Sequence, residues 1–388
     1  MNLMAKDVYS VFGSYNLTVI PLFVLMGQLA YHSGISKRLF DAAYTFLGHR
    51  PGGLAMATIG ACACFAAICG STNATAATMA AATLPEMKRY NYKPELATGV
   101  VAAGGSLGSL IPPSIIFIVY GIMTEQSIGK LFVAGLLPGL LLTILFIATI
   151  AIWTYIKPDL GPAGPKCTFR EKIASLGGLT ETLLLFVLVM GGLFGGLFTP
   201  TEAGAVGAFG TLVLALLKRN LTWNGFVTSL MDTTRISCMI LVIVAGATVF
   251  GHFLAVTRIP FDIAHWISGV NLPSFAIIML IIFVYLVGGC FIDSLALIML
   301  TVPIFYPVIT SLNYDPIWFG VVIVLITQIG VITPPVGINV YVVSGVARDV
   351  PLHVIFRGVI PLLIALIIGT ALLIPFPQLA LFLPDLMR

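Results

Sequence analysis

Apolar runs long enough to cross a bilayer recur along the whole sequence, and two of them are interrupted by a pair of prolines at matched places. Residues 131–155 and 179–198 are the clearest unbroken runs. About 20 predominantly apolar residues make a helix as long as the hydrocarbon core is thick. Of the 388 residues, 59% are hydrophobic and 9% charged, against about 25% charged in soluble domains. The short alternating segments of an outer-membrane barrel are not seen. The fold class is therefore an all-α polytopic membrane protein. "GSLGSLIPPSIIF", residues 105–117, and "GVITPPVGINV", residues 330–340, each place Pro-Pro inside an apolar run. A proline there removes a backbone donor and costs roughly 3 kcal/mol.

The two interruptions belong to an internal duplication. At the offset that carries Pro112-Pro113 onto Pro334-Pro335, Gly108 falls on Gly330, Pro85 on Pro307, and "NYKP" (91–94) on "NYDP" (313–316). With small gaps, Gly27 matches Gly251 and Phe40-Asp41 matches Phe261-Asp262. Downstream, Gly135 and Pro138 match Gly358 and Pro361. An ordered series of this kind marks a repeat. Each unit reads as a membrane helix (17–31; 236–256), an amphipathic stretch (35–50; 260–270), a re-entrant hairpin (54–89; 273–312), a helix broken at Pro-Pro (95–123; 316–346) and a closing span. The expected organisation is a first repeat over 1–156, a linker with two scaffold spans over 157–235, and a second repeat over 236–388. The opening "MNLMAKDVYSVFGSYN" is too polar for a span, so the first helix is expected near Leu17, and no cleavable signal peptide is evident.

Lysine and arginine set the orientation, because short cytoplasmic loops are enriched in them. Lys88, Arg89 and Lys93 in the first unit align with Thr310, Ser311 and Asp315 in the second. Hairpins entering from opposite faces put Lys37, Arg38, Arg50, Lys88, Arg89, Lys93, Lys157, Lys166, Arg170, Lys172, Lys218, Arg219, Arg235, Arg348 and Arg357 inside. Only Lys6, Lys130, Arg258 and Arg388 fall outside. That asymmetry favours inverted repeats and an external C-terminus. The net charge of +4 is thus topological and implies no nucleic-acid partner.

Inverted repeats with discontinuous helices at mid-membrane mark secondary transporters, and broken backbone is tolerated there only inside protein or beside a wet cavity. Pro112-Pro113 would free carbonyls near Ser109–Ile111 as cation ligands, while half-helix N-termini present partial positive charge to an anion; the alternative is a plain kink. The tip "CGSTNATAAT" (69–78) clusters Ser71, Thr72, Asn73 and Thr75, oxygen groups suited to a hard cation or small residues suited to helix packing. In "GGCFIDSLAL" (288–297), Asp293 aligns with Ser71. At membrane depth it is a candidate ligand, proton carrier, substrate contact or helix cap. In "FTPTEAGA" (198–205), Thr199, Pro200 and Glu202 form a capping box with proline at the first helical position. The cysteines Cys62, Cys64, Cys69, Cys167, Cys238 and Cys290 lack metal spacing and read as small buried hydrophobes. His49, His252, His265 and His353 fall at predicted membrane edges, and no Walker-type loop is present, so neither an enzyme nor an ATP-driven pump is indicated.

"GHRPGGLA", "CGSTNATAATMAAATLPEMKRYNYKPELATGVVAAGGSLGSLIPPSIIFIVYG", "SIGKLFVAGLLPGLLL", "GLFTPTEAGAVGA" and "TQIGVITPPVGINVYV" resemble the large membrane subunit (M subunit, DctM-like) of TRAP transporters, the tripartite ATP-independent periplasmic systems. The resemblance covers nearly the whole chain. It implies an elevator-type fold of the wider ion-transporter superfamily in a bacterial inner membrane. It implies a small Q-type membrane subunit and a periplasmic binding protein as partners, a small organic carboxylate as substrate with a C4-dicarboxylate as default, and Na⁺ as coupling ion without an organic cofactor. Carried onto this sequence, one Na⁺ site uses Ser71, Asn73, Gly105, Ser106, Ser109 and Pro112. The other uses Gly289, Asp293, Gly330 and Thr333. Substrate sits between the tips, with Ser71, Thr72, Asn73, Ser294, Thr333 and Asn339 as its candidate contacts. Family members carry another hydrophobic helix ahead of this opening segment, so the resemblance also implies a missing N-terminal helix. A stand-alone Na⁺/carboxylate symporter and a passive channel or membrane scaffold are the competing readings.

Overall fold

The runs between breaks fold as helices, and the places where helix stops are set by glycine, proline and capping side chains. The computed structural model describes residues 2–164, 167–259, 262 and 273–387. The expected amphipathic stretch at 260–270, Asp262 apart, lies outside the described residues, as do Lys166, His265 and Arg388.

Five helices precede the first polar turn: α1 (Asn2–Phe12), α2 (Val19–His32), α3 (Ile35–Leu47), α4 (Gly53–Cys69) and α5 (Thr72–Arg89). Next come α6 (Pro94–Gly105), α7 (Ile115–Thr124), α8 (Ile128–Ile156), α9 (Phe169–Ser175), α10 (Thr180–Phe194), α11 (Pro200–Leu217) and α12 (Trp223–Thr257). After the undescribed stretch follow α13 (Ser274–Gly289), α14 (Ser294–Ser311), α15 (Pro316–Ile332), α16 (Ile338–Val346), α17 (Leu352–Leu373) and α18 (Gln378–Leu386). Among the described residues five helices (α8, α11, α12, α14, α17) are long and apolar enough to cross a membrane, or seven spans if the two bent helix pairs each count as one.

Two starts differ from the sequence reading. Helix α1 precedes the one expected near Leu17 and is bent by 49° from the next segment. Its turns are amphipathic, with Asp7 and Val11 buried and their neighbours exposed. The helix expected to begin at 236 begins at Trp223. Thr222 caps it, its hydroxyl accepting from the Gly225 amide at 3.1 Å, and the polar residues up to Arg235 simply extend it.

The two units repeat one turn chemistry. Asn91 and Asn313 both adopt φ of 58°, a left-handed geometry that asparagine tolerates. The amides of Tyr92 and Tyr314 close the turns on Met87 and Ile309 carbonyls. Pro94 and Pro316 then sit at the first turn of α6 and α15, where a missing N–H costs nothing. Hairpin α4–α5 turns at Gly70 (φ 65°), and hairpin α13–α14 turns over 290–293. Each is followed by its broken pair, α6–α7 or α15–α16, and both Pro-Pro bonds are cis.

The broken pairs lie side by side and antiparallel. Near the end of α7, the Tyr120 hydroxyl donates to the carbonyl of Pro316, at the start of α15, at 2.6 Å. Near the start of α16, Asn339 donates to the Ala102 carbonyl of α6 at 3.0 Å. Every residue of α6 from Leu96 onward and every residue of α15 from Trp318 onward is buried. Helix interruptions expose unpaired backbone, which membrane proteins can hold only where neighbouring elements cover it. Helices α2, α10, α11 and α12 pack on one another beside this core. There Glu181, 4% exposed, pairs with Arg38 at 2.7 Å and with Lys218.

Candidate functional site

The two hairpin tips and the first helix break meet around one cavity of about 80 Å³, beside the end of α15. Ser71, Thr72 and Asn73 line it from the first tip, Asp293 and Ser294 from the second. Ser109 lines it from the first break, Ile115 and Ile116 from the start of α7, Val331 from α15, and Ile236, Met239 and Ile240 from α12. Three helices therefore begin at this cavity: α5 at Thr72, α7 at Ile115 and α14 at Ser294. Each start carries a partial positive charge from its unpaired amides. Among the described residues no lysine or arginine lines the cavity, and Asp293 is the one ionisable lining group.

The capping side chains shape those starts. Ser71 Oγ accepts from the Ala74 amide at 3.4 Å, and Ser114 Oγ from the Phe117 amide at 3.4 Å. Asp293 Oδ2 accepts from the Leu295 amide at 3.0 Å. Asp293 is therefore a helix cap while it also faces the cavity. The first tip is pinned to the first break: the Ile115 amide donates to the Gly70 carbonyl at 3.2 Å, and Ser114 Oγ donates to the Ser109 carbonyl at 2.5 Å. A Cβ on Gly70 would lie 2.4 Å from the Pro113 carbonyl oxygen, so only glycine fits there.

Matched glycines bring tip and break into backbone contact in both units. A Cβ on Gly108 would lie 2.5 Å from the Ser71 carbonyl oxygen, and one on Gly330 would lie 2.2 Å from the Gly289 carbonyl carbon. Beside Gly108, the buried Thr75 hydroxyl has no hydrogen-bond partner among the described residues.

Other candidates sit behind the cavity rather than on it. Ser106 Oγ donates to the Ala103 carbonyl at 2.5 Å, and Thr333 Oγ1 to the Ile329 carbonyl at 2.5 Å. Gly105 packs on Ala76 and Asn339, and Asn339, fully buried, is tied to α6. Pro112, Gly289 and Gly330 shape the backbone without lining the space. The residue that sequence reasoning passed over is Gln328. It is fully buried, accepts from Thr72 Oγ1 at 3.1 Å and donates to Ser294 Oγ at 3.3 Å. Its signal was available, since a lone glutamine in the apolar run of α15 aligns through the repeat with Ser106. Missed as well were Glu181 with its two cations, and the pair of His252 with Asp7 at 2.7 Å.

A cavity between two hairpin tips, with hydroxyl, amide and carboxylate groups set in an apolar wall, defines a membrane transporter-type architecture. A solved structure, the YdaH transporter of Alcanivorax borkumensis, shares this fold with a TM-score of 0.65 over 96% of this chain and 88% of that chain, at 16% identity. The family model described as the tripartite ATP-independent periplasmic transporter, DctM component, matches residues 1–379, and the chain belongs to that family. It is 37% identical over 96% of its length to the C4-dicarboxylate TRAP transporter large permease protein DctM of Pseudomonas aeruginosa, covering 86% of that protein. It is 37% identical over its whole length to the sialic acid TRAP transporter large permease protein SiaM of Vibrio cholerae, covering 90%. Against the 2,3-diketo-L-gulonate TRAP transporter large permease protein YiaN of Escherichia coli the identity is 33% over the whole chain and 89% of that protein.

Proposed function

We propose that this large permease subunit moves an organic carboxylate together with Na⁺ across a bacterial inner membrane, as the working part of a complex with a small Q-type membrane subunit and a periplasmic binding protein. A C4-dicarboxylate is the default substrate. The observation that carries the reading is the convergence of three helix N-termini and Asp293 on one cavity that no lysine or arginine lines among the described residues. The helix starts suit a carboxylate. Asp293, the tip hydroxyls and nearby carbonyls suit a hard cation, and the cation offsets the charge of both carboxylates.

In this reading the units 1–156 and 236–388 are inverted repeats, and α4–α5 and α13–α14 enter as re-entrant hairpins from opposite faces. Hairpins and broken helices move together as an elevator against a scaffold that includes α2 and α10–α12. Arms α4 and α13, of 17 and 16 residues, are about 25 Å long at 1.5 Å per residue, short of the roughly 30 Å core.

The test is uptake of radiolabelled succinate, N-acetylneuraminate and other acids into proteoliposomes holding this chain and its small partner. The binding protein is added outside, with and without an inward Na⁺ gradient. Accumulation that needs both Na⁺ and binding protein supports the proposal. Uptake without the binding protein replaces it with a stand-alone symporter, and equilibration without accumulation replaces it with a passive channel.

A further inference from the structure

The repeat makes Thr72 and Ser294 equivalent: each is the first helical residue after a tip, and they align at the same offset as the Pro-Pro pairs. One side chain treats them differently. The Gln328 amide lies between them, fully buried, with Thr72 Oγ1 donating to its oxygen at 3.1 Å and its nitrogen donating to Ser294 Oγ at 3.3 Å. The residue equivalent to Gln328 is Ser106, whose short side chain ends on the Ala103 carbonyl. The second repeat alone supplies the bridge.

An amide has one donor end and one acceptor end. Whichever way round it sits, it consumes the proton of one hydroxyl and leaves the other hydroxyl its own. Here Thr72 has spent its proton and offers only lone pairs to the cavity, whereas Ser294 receives a hydrogen bond and keeps an O–H to give. Both hydroxyls belong to residues lining the cavity, and Gln328 stands behind them.

We infer that Gln328 is a positioning residue that sets the hydrogen-bond polarity of the site, orienting the substrate so that a carboxylate oxygen meets the free Ser294 proton while the Thr72 side receives the cation or a substrate hydroxyl. This rests on the cavity being the anion transport site. It also gives a pseudo-symmetric site a single preferred orientation for an asymmetric acid, and it ties the two tips into one unit.

Two variants separate polarity from packing. Gln328→Met removes both hydrogen bonds at similar volume. Gln328→Glu keeps the shape but, as a carboxylate, accepts from both hydroxyls and leaves neither a proton for the anion. The assay is Na⁺-driven uptake of whichever radiolabelled acid of the panel the wild-type complex accumulates. Both variants should raise KM for the acid at least tenfold, with the half-saturating Na⁺ concentration shifted less than threefold for Gln328→Met. In the Ser294→Ala background Gln328→Met should add less than twofold, because its partner has gone. Additive effects there, or an unchanged KM in both variants, overturn the inference. A second arm needs no substrate: melting temperatures of the purified complex for Gln328→Met, Thr72→Val, Ser294→Ala and their pairs. Non-additive shifts with both hydroxyl variants support the bridge, and additive shifts overturn it whether or not any acid is transported. A wild-type complex that accumulates no acid sinks the transport reading, and the specificity role with it, and leaves the bridge to the melting cycle.

Discussion

Replacing Gly330 by alanine puts a methyl group 2.2 Å from the carbonyl carbon, 2.4 Å from the oxygen and 2.6 Å from the Cα of Gly289. All three are backbone atoms, so no rotamer change can relieve the contact. Helix α15 and the second tip must separate by about 1 Å to reach ordinary carbon contact near 3.5 Å. Overpacking costs about 1–3 kcal/mol, and rigid backbone on both sides places this case at the upper end. Alanine recovers about 1 kcal/mol of helix propensity over glycine, leaving about 2 kcal/mol of destabilisation. Displacement of Asp293 and Ser294 by the same 1 Å should weaken transport more than stability, since misplacements of that size cost up to about 100-fold in positioned reactions. The built-in control is Gly289→Ala on the other side of the contact: its Cβ would meet nothing nearer than 3.4 Å. Thermal unfolding in detergent and Na⁺-driven uptake should show a loss for Gly330→Ala and near wild-type behaviour for Gly289→Ala. Equal behaviour of the two variants, in either direction, would refute the reasoning.

Three further outcomes are expected. Asp293→Asn keeps a capping oxygen but loses the charge, so the melting temperature should hold within a degree or two while the Na⁺ dependence of uptake weakens at least tenfold; Asp293→Ala, or Ser71 and Asn73 both changed to alanine, should abolish Na⁺-dependent uptake in folded protein, and wild-type-like uptake in these would remove the residues from the site. Glu181→Ala leaves the partly buried Arg38 and the exposed Lys218 without their shared, buried partner, and should cost about 1–2 kcal/mol, read as a lowered melting temperature in purified protein; no change would mean that the three charges contribute little. At the exposed pair of Lys88 with Asp349, 2.6 Å apart, the hydrogen bond from Lys88 holds the Asp349 carboxyl below its ordinary value. A depressed carboxyl contributes its stability above the unfolded value near 4 and loses it only as pH falls further. Lys88→Ala should therefore leave the pH dependence of melting unchanged between pH 5 and 8, and a slope in that range would show the pair to be shielded.

Much of the architecture was legible because it is written in local chemistry. Asparagine-tyrosine-x-proline turns, Pro-Pro breaks and the Thr199–Glu202 capping box each fix backbone within a few residues, and both side-chain and backbone bonds of that box form as expected. Ser71, Thr72, Asn73, Asp293 and Ser294, which line the cavity, stood out in the sequence for a related reason: polar groups in an apolar run must be satisfied internally. Ser106, Thr333 and Asn339 looked identical by that criterion. The Ser106 and Thr333 hydroxyls and the Asn339 amide nitrogen are spent on carbonyls instead, a choice made by packing that no spacing encodes.

The sequence by itself determined that the chain is a multi-helix membrane protein, that its turns and breaks come in two matched sets, and where its helices break, because hydropathy, proline and glycine act over a single turn or a single helix. Only the tertiary structure decided what those breaks surround. Thr72, Ser294 and Gln328 are brought within hydrogen-bond reach from three separate helices, and Gly108 and Gly330 bring each break against its tip. Glu181 of α10 joins Arg38 of α3, 143 residues away, to Lys218 at the end of α11. Contacts of that kind depend on how helices dock, which is fixed by close packing over the whole core rather than by any one stretch of residues.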